Sequence, residues 1–353
     1  MAAYLLRRLL LIIPTLFGII AINFVVVQFA PGGPVQQEIS EMKAHAGMVA
    51  GESGGAQPGG GFYRGAQGVD PQMVAKLRKM FGFDKPPLTR FWIMLRGYLT
   101  LNLGRSFFLG QSVWHLILQR MPVSISLGLW STLLIYLVSI PLGIAKATRD
   151  GTRFDLATTL MVLIGYAIPG FLFAIFLIVI FAGGTFVQWF PLRGLMSMGA
   201  SSWSWPARVL DYLWHMVLPT TAMVVGGFAS LTMLTKNCFL EEIGKQYVLT
   251  ARAKGASNAR VLYGHVFRNA MLLIVAGFPA AFISILFTSA LLIEIIFSLN
   301  GMGQLGYQAA LQRDYPVMFG TLYVFSLIGL VMQIVGDILY TVVDPRIDFS
   351  ARR

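Results

Sequence analysis

Six stretches of the chain run for about 20 residues or more with almost no charge, at about 9–30, 122–145, 156–182, 215–235, 270–293 and 317–342. Asp337 is the one charged residue inside them. A hydrocarbon core takes about 20 apolar residues of helix, so each stretch predicts one membrane span. The third lies in a longer uncharged run between Asp155 and Arg193, and the Gly183-Gly184 pair is the expected end of its helix. Prolines fall inside five of the spans, at Pro14, Pro141, Pro169, Pro219 and Pro279. Lipid offers no hydrogen bonds, so neighbouring helices or water must satisfy the backbone groups that proline frees. The pattern predicts an all-α polytopic membrane protein of six transmembrane helices, kinked and packed into a bundle.

Composition supports this. Of the 353 residues, 56% are hydrophobic and only 12% charged. Soluble domains carry about 25% charged residues, and half that fraction leaves too little polar surface to cover a globule in water. The formal net charge of +12 therefore reads as orientation charge or contact with anionic membrane lipid, and no nucleic-acid partner is expected. Cys238, the single cysteine, allows neither an intrachain disulfide nor a cysteine metal cluster, and reads as packing.

Lysine and arginine in short loops set topology. One side holds Arg7, Arg8, Lys146, Arg149, Arg153, Lys236, Lys245, Arg252, Lys254, Arg260, Arg268, Arg346, Arg352 and Arg353. The short loops opposite hold Arg193, Arg208 and Arg313. Both termini are thus expected in the cytoplasm. The first apolar run is too long for a signal-peptide core and no A-x-A site follows, so it is expected to stay as a helix.

Three regions follow. Residues 1–30 form an N-terminal tail and first span. Residues 31–121 form an outer segment with a flexible glycine-rich insert at about 47–69. Residues 122–353 form a five-helix core with a basic inner loop at about 236–269. Within the outer segment, "DPQMVAKLRKMFGF" predicts a helix with Asp70 as N-cap and Pro71 in its first turn. "SVWHLILQRM" predicts an amphipathic helix at the outer interface. Trp189, Trp203, Trp205, Tyr212 and Trp214 flank the third and fourth spans as an aromatic belt.

Catalytic patterns do not occur. The four histidines fall in different segments, neither H-E-x-x-H nor G-x-S-x-G is present, and Gly244-Lys245 lacks the rest of a phosphate loop. A non-catalytic chain that binds no cofactor is expected. Ionisable residues in or beside spans carry a functional hypothesis by default. Glu294, at the outer end of the fifth span, and Asp337, in the last third of the sixth, are expected to sit near the interface or pair within the bundle, and for Glu294 the sharper alternative is contact with the translocation path near its outer mouth. Asn23, Gln28 and Gln333 are candidates for interhelical hydrogen bonds.

The inner loop is the most informative segment. "YVLTARAKGASNARVLYGHVFRNA" carries good helix formers up to Lys254, a stop at Gly255 and an N-cap at Ser257. At about 100° per residue, Arg260 points away from Leu262 and Val266. A short helix with one apolar and one charged side is expected across the membrane face. Orientation charge alone, a lipid-binding segment and a docking element for a cytoplasmic partner all fit.

These residues resemble the signature loop of ABC-importer permeases of the peptide/nickel branch. The family consensus opens with Glu-Ala-Ala six residues before its glycine; here Leu249, Thr250 and Ala251 stand there, so the glutamate is missing. "EIIFSLNGMGQLGYQAALQRDYPVMFG", "DILYTVVDPRI" and the N-terminal "YLLRRLLLIIPTLFGIIAINFVVVQFAPGGP" are similar to other parts of the same branch. "TKNCFLEEIGKQYV" and "FPLRGL" are closest to its permeases for oligopeptides and microcin C.

The resemblance implies a type I ABC importer permease fold in the bacterial inner membrane. Its implied partners are a second homologous permease, an ATPase pair or fused double ATPase that holds ATP and Mg, a periplasmic substrate-binding protein and a peptide substrate. It also implies that Tyr247, Ala251, Arg252, Lys254, Gly255, Ser257 and Arg260 form the ATPase-coupling surface. Glu294, Asn300, Gly301 and Gly303 are candidates for the path or its outer gate. Dipeptides, glutathione or nickel chelates remain alternative cargoes, and an ion-coupled secondary transporter is the alternative of another class, although no inverted repeat is evident.

Overall fold

A computed structural model of the chain describes residues 2–29, 84–184, 186–284 and 290–343. The glycine-rich insert and the helix expected from Asp70 lie outside them. Among the described residues there are eleven helices besides a single 3-10 turn at Ala200–Ser202. They are α1 (Ala2–Phe29), α2 (Pro87–Leu99), α3 (Val113–Thr148), α4 (Arg153–Ala167), α5 (Gly170–Phe181), α6 (Trp205–Ile243), α7 (Gln246–Ala253), α8 (Asn258–Ser284), α9 (Ala290–Ile296), α10 (Met302–Gln312) and α11 (Tyr315–Val343). Five of these, α1, α3, α6, α8 and α11, are long and apolar enough to cross a membrane, and the bent pair α4–α5 brings the number to six.

The bend is 91° and has a local cause. Pro169 disfavours helical backbone at the residue before it, and Ile168 is extended (φ −85, ψ 118). The single kinked span expected over 156–182 is therefore two helices at a corner. The segment "SVWHLILQRM" also differs from expectation. It is the first part of α3, a 36-residue helix, and Val113, Leu116 and Ile117 are buried. Its apolar side packs on protein, and the His115 N–H bonds Ser112 Oγ at the helix start.

The chain forms two compact units. The first comprises Met1–Leu10, Arg120–Gln304 and Leu327–Arg353. Its inner apolar cluster joins Ile144 and Ala147 of α3, Leu231 and Phe239 of α6, Val248 of α7 and Val261, Val266, Ala270 and Ile274 of α8. Close approach of α3 and α6 depends on Gly143, where an added Cβ would stand 2.5 Å from Thr235 Cβ and 2.9 Å from the Thr232 carbonyl oxygen. A second cluster joins Leu127, Ala174, Leu177, Met216, Ala222, Ile293 and Phe297. Arg8 pairs with Asp337, which also accepts from Tyr4 Oη at 3.3 Å.

The second unit comprises Leu11–Gln119 and Leu305–Ser326. Tyr98 and Tyr323 pack their rings 5.1 Å apart, and Tyr323 Oη donates to the Tyr98 carbonyl at 3.2 Å. Buried Asp314 accepts from Ser106 Oγ at 2.5 Å and the Phe107 N–H at 3.2 Å, fastening the 100–112 loop to the start of α11. A cavity of about 330 Å³ lies between α2, this loop and Phe24, Tyr315 and Phe319.

Candidate functional site

Between α6 and α8 the chain makes one short helix, α7. After Gly244, Lys245 is extended (φ −77, ψ 151), which turns the chain into α7. Val248 is fully buried in the inner cluster, with Tyr247, Ala251 and Ala256 against its edge. Tyr247 Oη donates to Glu242 Oε2 at 2.7 Å, and Lys245 pairs with the same carboxylate. Burial, and then the hydrogen bond to Glu242, push the Tyr247 phenol above its ordinary pKa. One buried valine and one carboxylate thus fasten an eight-residue helix that would be marginal in isolation.

The end of α7 is closed by backbone geometry. The Gly255 N–H donates to the Arg252 carbonyl at 2.9 Å and the Ala256 N–H to the Ala251 carbonyl at 3.1 Å. This pair of bonds is a Schellman motif. It needs a left-handed residue, and Gly255 has φ +82 with nothing within 4 Å of an added Cβ. Glycine is required there by conformation and not by crowding. Ser257 Oγ then accepts from the Arg260 N–H at 3.4 Å as N-cap. The helix it starts is not a separate transverse piece. Asn258–Val261 runs through a π-helical turn, Leu262–Val266, directly into Phe267–Ser284. The separate short helix is α7, before Gly255, and α8 is the next helix long and apolar enough to span.

The seven residues singled out in the sequence divide in two. Tyr247 and Ala251 turn toward the cluster, while Arg252, Lys254, Gly255, Ser257 and Arg260 face out. Two exposed apolar residues join the outward group, Leu249 at 57% and Tyr263 at 62% exposure. Sequence reasoning missed both, although Leu249 lies three residues before Arg252 and so shares its side of a helix. The outer surface is therefore basic with apolar points and stands on a rigid base.

The group at 294–303 lies apart from this loop in the sequence and in its contacts. Glu294 and Gly301 are buried, Gly303 is half-buried and Asn300 is exposed. Glu294 Oε1 accepts from Ser124 Oγ at 2.7 Å, and its carboxylate takes the N–H groups of Gly303 and Gln304, the latter at 2.8 Å. Ser124 Oγ in turn accepts from the Met302 N–H at 2.8 Å. A helix leaves its first N–H groups unpaired, with partial positive charge. Glu294 and Ser124 supply the missing acceptors for α10 from other helices.

Comparison with known proteins agrees with this architecture. A family described as the binding-protein-dependent transport system inner membrane component matches residues 139–349. The inner membrane ABC transporter permease protein YejB of Escherichia coli O157:H7 is 58% identical over all of both chains. The peptidoglycan transport system permease protein YejB of Agrobacterium fabrum is 54% identical over the same extent. The oligopeptide transport system permease protein AppB of Bacillus subtilis is 31% identical over 99% of this chain and 100% of its own. The chain belongs to the family of binding-protein-dependent inner-membrane transport components. It is a multi-pass inner-membrane permease.

Proposed function

We propose that the chain is the transmembrane permease subunit of an ATP-driven ABC importer that carries peptides across the inner membrane. The observation that carries this is α7: a short helix with a basic outer face, anchored by Val248 and Glu242 and ended by a Schellman turn. A floppy charged loop would serve topology equally well, but only a fixed one transmits a partner's motion. Its partners are a second homologous permease, an ATPase pair or fused double ATPase, and a periplasmic substrate-binding protein. ATP and Mg belong to the ATPase, and this chain binds no cofactor. Both termini face the cytoplasm, as the basic loops require.

In this cycle Arg252, Lys254, Gly255, Ser257 and Arg260, with Leu249 and Tyr263, meet the ATPase, while Tyr247 and Ala251 hold α7 to the core. ATP-driven closure displaces α7 and turns the translocation path of the assembled importer outward, and hydrolysis resets it. At the outer end Glu294, Gly301 and Gly303 fix the start of α10 beside the path, and Asn300 faces it. The relative named for oligopeptides supports peptide cargo. The relative named for peptidoglycan transport adds cell-wall peptides as a second cargo reading.

Gly255 provides the test. A β-branched residue in the left-handed region costs about 1–2 kcal/mol, whereas asparagine visits that region. Gly255→Val is expected to accumulate in the membrane with its spans intact but to lower peptide uptake about tenfold. Gly255→Asn should stay near wild type. Uptake into vesicles holding the assembled transporter checks both, and normal uptake with Gly255→Val would remove the coupling assignment. Co-purification with an ATPase separates this reading from a self-sufficient ion-coupled transporter.

A further inference from the structure

Four charged side chains meet where α3 turns into α4 against α6. Lys146 on α3 is fully buried. Its ammonium donates to the Asp155 carbonyl at 2.8 Å, Thr159 Oγ1 at 2.5 Å and Thr158 Oγ1 at 3.1 Å, and lies 2.9 Å from Asp155 Oδ1. Lys236 on α6 reaches Asp150 Oδ1 and Asp155 Oδ2, each at 2.7 Å. The Gly151 N–H adds a 3.2 Å bond to Asp155 Oδ2. Asp155 is therefore shared between a lysine of α3 and a lysine of α6.

The position of this joint matters. From Lys236, α6 runs two turns to Ile243 and then passes through Gly244 into α7. Val248 of α7 shares its apolar cluster with Phe239, three residues after Lys236 on α6, and with Ile144 and Ala147 of α3. Apolar contacts are non-directional and allow surfaces to slide. A buried ion pair adds little stability over well-packed apolar groups, but it fixes one register. The cluster holds α3 and α6 together, while the lysines hold them in one alignment.

We propose that Lys236 is a positioning residue of the transport cycle: by gripping Asp150 and Asp155 together, it makes the α3–α4 corner follow α6 when α7 is displaced. This rests on the assignment of α7 as the ATPase-docking helix. Lys236→Met removes the grip while leaving Asp155 paired with Lys146, and Lys236→Arg keeps the charge.

The test uses the whole transporter in proteoliposomes, with peptide uptake and ATP hydrolysis measured on the same sample. Lys236→Met is expected to lower peptide delivered per ATP about tenfold, the size of a typical coupling energy between sites, with ATPase retention unchanged. Lys236→Arg should recover most of the ratio. A purely structural role lowers uptake and hydrolysis in step, and an unchanged ratio in Lys236→Met overturns the proposal. Should that variant fail to accumulate, Asp150→Asn alters only the half-exposed partner, and an unchanged ratio there overturns it equally. If the wild-type permease retains no ATPase, the docking assignment itself fails and the proposal falls with it.

Discussion

Asp155→Leu is expected to destabilise the folded chain by about 3–5 kcal/mol, the cost of leaving a buried charge without its partner. Lys146 would keep only the residue-155 carbonyl and two threonine hydroxyls around a fully buried ammonium. Lys236 would keep Asp150, whose side chain is half exposed at 53% and offers a weaker hold. Replacing both members of a buried pair is far cheaper than removing one, because no orphan charge remains. The double variant Lys146→Met with Asp155→Leu should therefore recover at least about half of the loss. Thermal melting in detergent, with membrane accumulation as a second readout, checks both. A loss below about 1 kcal/mol for the single variant would mean that the pair behaves as an exposed one.

Gly301→Val is expected to cost a similar amount, about 3–5 kcal/mol, for a different reason. A Cβ at 301 would overlap the Glu294 carboxyl carbon and Oε1, with Oε2 at 2.6 Å. The carboxylate cannot retreat freely, since it holds Ser124 Oγ and the N–H groups of Gly303 and Gln304. Displacing it strips the cap from α10 and leaves a buried charge short of donors. Glu294→Gln is the milder companion. It keeps the shape and one acceptor oxygen but loses the charge-assisted bonds, at about 1–3 kcal/mol. Melting should rank the two with Gly301→Val lower, and peptide uptake should fall in the same order. Equal melting of Gly301→Val and wild type would show that the 297–304 turn can reopen without cost.

Much of this protein is legible one segment at a time. Charge-free runs located the spans, because the requirement for about 20 apolar residues is local. Gly255 and Ser257 announced a helix stop and a helix start, because capping involves neighbours within a few residues. The same locality explains the misplaced transverse helix. A cap at Ser257 says where a helix begins, but not that it continues through a π turn into Phe267–Ser284. Likewise "SVWHLILQRM" has an amphipathic pattern that fits a lipid surface or a protein surface equally, and buried Val113 and Ile117 assign it to protein.

The amino-acid sequence by itself determined that this is a polytopic helical membrane protein, where its apolar spans lie and that a capped, basic segment links two of them. Hydropathy, proline and glycine act over one or two turns of chain, so these features need no knowledge of the fold. Tertiary structure alone decided which charges are free and which are spent. Lys146 and Lys236 count equally with Arg252 and Lys254 in an orientation tally, yet the first two are committed to Asp155 and the others face outward. Glu294 likewise acquires its partner Ser124 from 170 residues away. In a low-dielectric interior a charge must find a partner or hydrogen bonds, and which group supplies them depends on how the helices pack.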